Sequence, residues 1–345
     1  MASAGPPTRV LSPDGFSWLD GERLILYGAG TLADAPRLLE HRGLEGYAVL
    51  TTERGRAAAP ELLEAATAVA LVPPGPVPEA AAAVRSEVGK RPLVALGGGR
   101  VIDAAKAIAG ADGLTCAAVP TTLSGAEMSR WHRMPAGVHT FMLTRPAVVI
   151  ADPDLMASQP MPDLAASAMN AMGHAVESLY TTPNPVAESV GLRAAALIAR
   201  ALGGGDPDRG DLALGALLAG WAIAATGYAV HHVVCQTIVR VAGTPHAQTN
   251  AIIVPHTVRL VTPRAPVAIG RLGRALGRPD DDPAPVADGV ARVAATAGVT
   301  RLSELGVEHA QLGEVADAAS GRPELGNTPD PPDRAELLQM LEAAL

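Results

Sequence analysis

Leu93-Val94-Ala95-Leu96-Gly97-Gly98-Gly99-Arg100-Val101-Ile102-Asp103-Ala104-Ala105-Lys106 is the stretch on which the fold turns. A short apolar run predicts a buried strand, three glycines allow a sharp turn, and helical spacing resumes at once behind them. The same order recurs along the first half. Apolar runs at Leu24-Ile25-Leu26-Tyr27, Tyr47-Ala48-Val49-Leu50, Ala68-Val69-Ala70-Leu71-Val72 and Thr115-Cys116-Ala117-Ala118-Val119 alternate with helix-compatible stretches, and Ala147-Val148-Val149-Ile150 predicts one more strand. Strands alternating with crossover helices predict a parallel sheet of the doubly wound, nucleotide-binding kind.

Beyond Asp152-Pro153 the character changes. Strand-like runs stop, alanine dominates, and long helical segments are punctuated by clusters such as Gly203-Gly204-Gly205-Asp206-Pro207. The expected fold is therefore an α/β Rossmann-like domain over residues 14–155 followed by an all-α domain over 156–345, with 1–13 as a loose tail. Leu212 to Val230 carries no charge and approaches the length of a membrane span. Its many alanines, its glycines and the lack of basic flanks predict instead one helix buried inside the helical domain. The proline-rich segment 321–334 reads as a loop before a last short helix.

Composition narrows the function. A chain of 345 residues with 48% apolar and 18% charged residues buries a large core, and its formal charge of -8 argues against a nucleic-acid binder. Cys116 and Cys235 stand far apart, so neither a disulfide framework nor a cysteine-type zinc site is expected. With no secretory signal visible, the expected setting is the cytoplasm, and the expected partners are a small molecule and a second copy of the chain.

Two glycine turns lie where a strand passes into a helix, Gly28-Ala29-Gly30 and Gly97-Gly98-Gly99. Backbone amides there can face a phosphate, although close packing of strand on helix would ask for the same residues. Pro120-Thr121-Thr122 follows another strand with hydroxyls that can serve phosphate, ribose or a plain helix cap. After the second strand, Thr51-Thr52-Glu53-Arg54 offers no acid directly at the strand end to claim ribose hydroxyls, which leans towards tolerance of NADPH.

Five of the nine histidines fall between positions 174 and 256. Asn170 and His174 lie one helical turn apart in Asn170-Ala171-Met172-Gly173-His174-Ala175-Val176-Glu177. His231-His232-Val233-Val234-Cys235-Gln236 and His246-Ala247-Gln248-Thr249-Asn250 follow, then Pro255-His256. Such histidines can converge on a metal ion or on a substrate oxygen, or can be buried and hydrogen-bonded for structure alone.

The run Gly97-Gly98-Gly99-x-x-x-Asp103-x-Ala105-Lys106, then Pro120-Thr121-Thr122 and the histidine segments, resembles the iron-containing alcohol dehydrogenase superfamily, and within it the maleylacetate reductase branch. The resemblance runs from Gly28 to about Pro331. It implies an oxidoreductase that binds NADH or NADPH and a carbonyl substrate in a cleft between its domains. By that resemblance Gly28, Gly30, Thr51, Gly97, Gly98, Gly99, Arg100, Asp103, Thr121 and Thr122 hold the cofactor. Asn170, His174, His232 and His246 are the matching pocket positions expected to do the chemistry, with Gln236 in this chain's own pocket and Tyr180, His231 and Arg240 as expected substrate contacts.

In metal-dependent relatives an Asp and three His bind iron or zinc, and the matching positions here are Asn170, His174, His232 and His246. A neutral amide brings no compensating charge to a divalent cation. No metal is therefore expected, with a zinc or iron site on His174, His232 and His246 as the alternative.

The pattern is also broken elsewhere. Gln236 stands where a second His is usual, Gln248 and Asn250 replace an acid and a His, Arg100 replaces Ser or Thr, and the expected Lys has only His139 near its place. Arg240 stands where glycine is usual. Glutamine orients a carbonyl but cannot hand over a proton. The expectation is a metal-independent, NAD(P)H-dependent reductase of an enone or keto compound bulkier or less charged than maleylacetate. A redox-neutral isomerase, cyclase or lyase on the same scaffold is the alternative, and a silent binding protein a third reading.

Overall fold

The computed structural model describes residues 15–345, so the expected tail lies outside the described residues. The chain divides into two compact units after Ser158 rather than after residue 155, because the short helix that follows the last strand still belongs to the first unit.

Unit 1 holds strands β1 (Phe16–Asp20), β2 (Arg23–Tyr27), β3 (Ala48–Thr51), β4 (Ala68–Leu71), β5 (Leu93–Gly97), β6 (Cys116–Pro120) and β7 (Val148–Ala151). Its helices are α1 (Ala35–His41), α2 (Glu53–Ala58), α3 (Pro60–Glu64), α4 (Val77–Val88), α5 (Gly99–Asp112) and α6 (Pro153–Met156). All six expected strands are present within a residue or so. The unexpected one is β1, which pairs antiparallel with β2 across a tight turn at Gly21. It alternates half-buried and exposed residues and so lacks the continuous apolar run that marks the others.

The seven-stranded sheet has the order β1-β2-β7-β6-β5-β3-β4. From β2 to β4 it is parallel. Alternation along β5 sends Leu93 and Ala95 to a core shared with α4 and α5, and Val94 and Leu96 to a second core under α1 and α3. The chain steps outward from β3 to β4, then returns to the other side of β3 as β5. The carboxyl ends of β3 and β5 thus flank the point where strand order reverses, where sheets of this kind take their ligands.

Unit 2 is all helix: α7 (Met161–Glu177), α8 (Pro185–Leu202), α9 (Arg209–Thr226), α10 (Val230–Ala242), α11 (His246–Val261), α12 (Pro266–Ala275), α13 (Val286–Ala294), α14 (His309–Ser320) and α15 (Arg334–Ala344). Small residues bring α8 and α9 close, since a Cβ on Gly215 would lie 2.9 Å from Ile198. The helix expected to reach Val230 ends at Thr226. Gly227, at φ 88°, terminates it, and α10 leaves at 103° to α9. No single helix among the described residues is long and apolar enough to cross a membrane. The expected loop 321–334 contains a 3-10 turn at Pro323–Asn327.

Candidate functional site

In unit 1 the strand ends present two different glycine turns. Gly28 and Gly30 have φ of 150° and 74°, backbone that side chains other than glycine's rarely adopt. The Leu32 amide of that turn donates to the buried Asp152 carboxylate at 3.3 Å, so an internal acid already occupies it. The Gly97-Gly98-Gly99 turn differs. Gly98 is the N-cap of α5, no side chain caps that helix, and no acid stands in its first turn. An uncapped helix start at the carboxyl end of β5 directs amides and a partial positive charge outward, as a phosphate requires.

Thr121 follows β6, and its amide donates to the Gly97 carbonyl at 3.0 Å. Thr122 packs so closely on Gly98 that a Cβ there would lie 3.0 Å from its methyl group. Arg100 is exposed beside the turn.

Two expected cofactor residues have structural partners. Thr51 is fully buried, and its hydroxyl donates to the Leu96 carbonyl at 2.8 Å, which ties β3 to β5. Asp103 pairs with the buried Lys106 ammonium at 2.7 Å. Lys106 in turn donates to the carbonyls of Ala126, Ser129 and Trp131, so this pair anchors the loop behind β6.

In unit 2 the break at Gly227 creates the free start of α10, and that start carries the paired histidines. Four exposed amides open any helix and need acceptors. Glu177, at the end of α7, supplies one: its Oε1 accepts from the amides of Ala229, His231 and His232 at 2.9, 2.8 and 3.3 Å. Its Oε2 lies 2.5 Å from His232 Nδ1. The Glu177 side chain is wholly buried, and burial pushes its carboxyl up to about 7.

His232 stacks on His174 with ring centroids 4.6 Å apart, and Tyr228 meets it edge-on at 6.1 Å. Asn170, His174 and Glu177 share one face of α7. Burial pushes His232 down to about 3 and His174 well below the usual histidine range, the neighbouring histidines adding to the effect. Burial thus favours the neutral form of both rings. His232 Nε2 and His174 Nδ1 are buried with no hydrogen-bond partner, and buried polar atoms without partners are costly enough to mark a place built for one. The Tyr180 hydroxyl is a third such atom. His246 opens α11 and is exposed.

Two expected substrate residues lie outside the stacked pair. His231 has no exposed surface, and its ring nitrogens are engaged by Asn250 Oδ1 at 2.9 Å and Thr257 Oγ1 at 3.2 Å. Gly173 makes room for this ring, since a Cβ there would lie 2.3 Å from His231 Nε2. Arg240 is exposed in the last turn of α10, about 12 Å along the helix from His232.

The cation beside the cluster is one the motifs do not contain, Arg322. Its Nη2 donates to Tyr228 Oη and to Gln236 Oε1, both at 3.1 Å, and its Nε donates to Glu324 Oε2 at 3.0 Å. Glu177 and Arg322 are the functional residues that the sequence reading lacked. Glu177 closes the quoted Asn170–Glu177 motif, so its place on the histidine face was legible there.

A profile described as "Fe-containing alcohol dehydrogenase family, C-terminal" matches residues 164–345, and one described as "Iron-containing alcohol dehydrogenase" matches residues 26–160. The chain belongs to the iron-containing alcohol dehydrogenase family. Maleylacetate reductase of Sphingobium indicum is 35% identical over 278 residues, covering 74% of this chain and 78% of the relative. Maleylacetate reductase 1 of Rhodococcus opacus is 34% identical, covering 67% of each chain. The crystal structure of maleylacetate reductase from Agrobacterium tumefaciens superimposes with a TM-score of 0.81 at 28% identity, covering 96% of this chain and 97% of that one. Within the family the chain falls in the maleylacetate reductase branch, and it is an oxidoreductase enzyme.

The family name implies iron, and the residues present do not fit it. Asn170 puts an uncharged amide where a carboxylate would balance the cation, and the neutral His174 and His232 rings bring no negative charge in its place. Among the described residues no three His, Cys, Asp or Glu side chains are grouped so as to hold a metal ion.

Proposed function

We propose that this enzyme is an NADH- or NADPH-dependent reductase of an enone or oxo compound, and that it works without a metal ion. The observation that carries the proposal is the buried Glu177–His232 pair, whose remaining nitrogen, Nε2, has no partner. The uncapped start of α5, with Gly97–Gly99 and Thr121–Thr122 beside it, is suited to the cofactor's pyrophosphate. Bound there, a reduced nicotinamide supplies the hydride.

The residues of unit 2 supply the rest. When the pair holds two protons, one lies on Glu177 or on His232 Nδ1 and the other on Nε2, which donates to the substrate oxygen. As negative charge develops on that oxygen, Nε2 gives up its proton and the Glu177 proton passes to Nδ1. The pair is left as carboxylate and neutral imidazole, ready for a proton from water. A carboxyl held near 7 suits that exchange at neutral pH. His174, stacked on His232, orients the acceptor, and Asn170 and Gln236 offer amides that hydrogen-bond without transferring protons.

The substrate we propose is less charged than maleylacetate. Arg240 is turned to solvent, and Arg322, which shares its guanidinium with Glu324, has room for one carboxylate at most, so the second carboxylate of a dicarboxylate would lack a matching cation.

The test is a titration of chelator-treated protein with NADH and NADPH, followed by steady-state reduction of a carbonyl panel that includes maleylacetate. Saturable micromolar nucleotide binding and turnover in chelator are expected. Binding of neither nucleotide would move the search to redox-neutral chemistry at the same histidines. Restoration of activity by added iron or zinc alone would sink the metal-free reading. Maleylacetate turnover at kcat/KM of about 10⁴ M⁻¹s⁻¹ or more would overturn the substrate preference.

A further inference from the structure

Gln236 stands four residues after His232, on the same face of α10. Its carbonyl oxygen faces a guanidinium rather than being free to turn. The Arg322 donors are nearly all assigned. Nε serves Glu324, and both Nη2 hydrogens are taken, by Tyr228 and Gln236. Nη1 has no acceptor among the described residues, although the Arg322 side chain is only 19% exposed.

The guanidinium is also held still. Tyr228 donates its hydroxyl hydrogen to Glu324 Oε1 at 2.8 Å while accepting from Arg322, so the Arg, Tyr and Glu side chains form a closed ring. The Tyr228 ring contacts His232, which places the network next to the proton-donating nitrogen's own ring. Glu324 sits on the Nε edge, leaving the end of the fork, Nη1 with Nη2, towards Gln236. An end-on carboxylate pair uses those two nitrogens, and Gln236 Oε1 occupies one of its two oxygen positions.

We propose that Arg322 recognises a substrate carboxylate, with Gln236 as the neutral placeholder that yields to it, and that the substrate is an oxo or enone monocarboxylate. This rests on the carbonyl-reductase reading above and gives it a substrate class. One guanidinium whose Nε edge is taken by Glu324 has a single open end of its fork, which matches a single carboxylate. An amide oxygen holds the open side without adding charge. Arg322 acts through binding and takes no part in the proton transfer, so its removal changes KM and leaves the maximal rate nearly untouched.

The experiment compares wild type, Arg322→Gln and Arg322→Lys on one oxo acid and its methyl ester, with folding checked by thermal denaturation. The expected result is a KM for the acid raised roughly 10- to 100-fold in Arg322→Gln, with kcat and the ester's KM little changed. Arg322→Lys keeps charge but loses the fork, so an intermediate rise is expected, and it replaces the Gln variant should that one fail to fold. Equal effects on acid and ester, or none on the acid, would overturn the assignment while leaving the reductase reading in place. If wild type reduces neither compound with either nucleotide, the reductase reading has failed. Calorimetry of the same acid and ester then decides Arg322 alone: acid binding lost in the variant supports it, and equal binding overturns it.

Discussion

Each unit buries one glutamate completely, and burial pushes both carboxyls to about 7, yet the two are placed in opposite ways. Glu127, in the loop behind β6, has neither oxygen hydrogen-bonded to another residue. Its own backbone amide and the through-space attraction of Lys106 and Arg23 favour the charged form, and those two cations' hydrogen bonds to this loop go to backbone carbonyls and the Met128 sulfur. Glu177 has every oxygen engaged, three amides on one and an imidazole on the other. A raised pKa therefore does not identify a working group; the bonding around it does. Glu127 is a carboxyl that holds its proton because nothing replaces water. Glu177 is placed to pass a proton on.

The sharpest way to break this contrast is Glu177→Gln. The amide oxygen can still accept from the α10 amides, but an NH₂ now faces His232 Nδ1 and forces that nitrogen to accept. The relay loses its proton store, and the tautomer is fixed. The expected outcome is a fall in kcat on the order of 10²- to 10⁴-fold with little change in KM, and loss of the pH dependence near 7. A variant within a few-fold of wild type at all pH values would return Glu177 to the rank of a helix cap.

Much of the scaffold was legible because its causes are local. Six strands announced themselves as apolar runs bounded by glycine or proline, and the reversal of character after Asp152 marked the second unit. What was hidden depends on tertiary partners. β1 is half polar and exists because β2 pairs with it. The end of α9 at Gly227 looked like the middle of an apolar helix, since a single glycine in an alanine-rich run carries little propensity signal. Missing that break meant missing the new helix start, and with it the reason a buried acid stands opposite two histidines.

His231 and His232 are adjacent in sequence, and only their tertiary partners, Asn250, Thr257 and Gly173 for one ring and Glu177 for the other, tell the two apart. Arg322 lies 86 residues from Gln236, and no spacing rule connects them. The glycine turns show the same limit. Gly97-Gly98-Gly99 is the sharper phosphate signal in the sequence, but that Asp152 fills the turn at Gly28-Ala29-Gly30 shows only in the structure.

A packing substitution sharpens the comparison next. Gly173→Ala would place a methyl group 2.3 Å from His231 Nε2 and 2.5 Å from its Cδ2. That ring is held by Asn250 and Thr257 and has nowhere open to go, so the strain passes to the start of α10. Destabilisation of about 1–3 kcal/mol is expected by urea denaturation. An unchanged midpoint would mean that the surroundings of Glu177 are looser than its bonding implies.

The smallest effect belongs to Glu127→Gln, which tests the other half of the contrast. Because the folded carboxyl sits at about 7 against an ordinary 4.5, the native state binds a proton more tightly than the unfolded chain does. The stabilisation this gives is fully present below about pH 4.5 and is lost as pH rises through 7. It amounts to at most about 3 kcal/mol. A glutamine carries no charge to desolvate, so the variant should match wild type near pH 5 and gain on it by pH 8, with activity unchanged. Thermal denaturation of both proteins at the two pH values reads this directly. Parallel behaviour across that range would show that Lys106 and Arg23 already hold Glu127 as an anion, and the two buried acids would then differ only in what they touch.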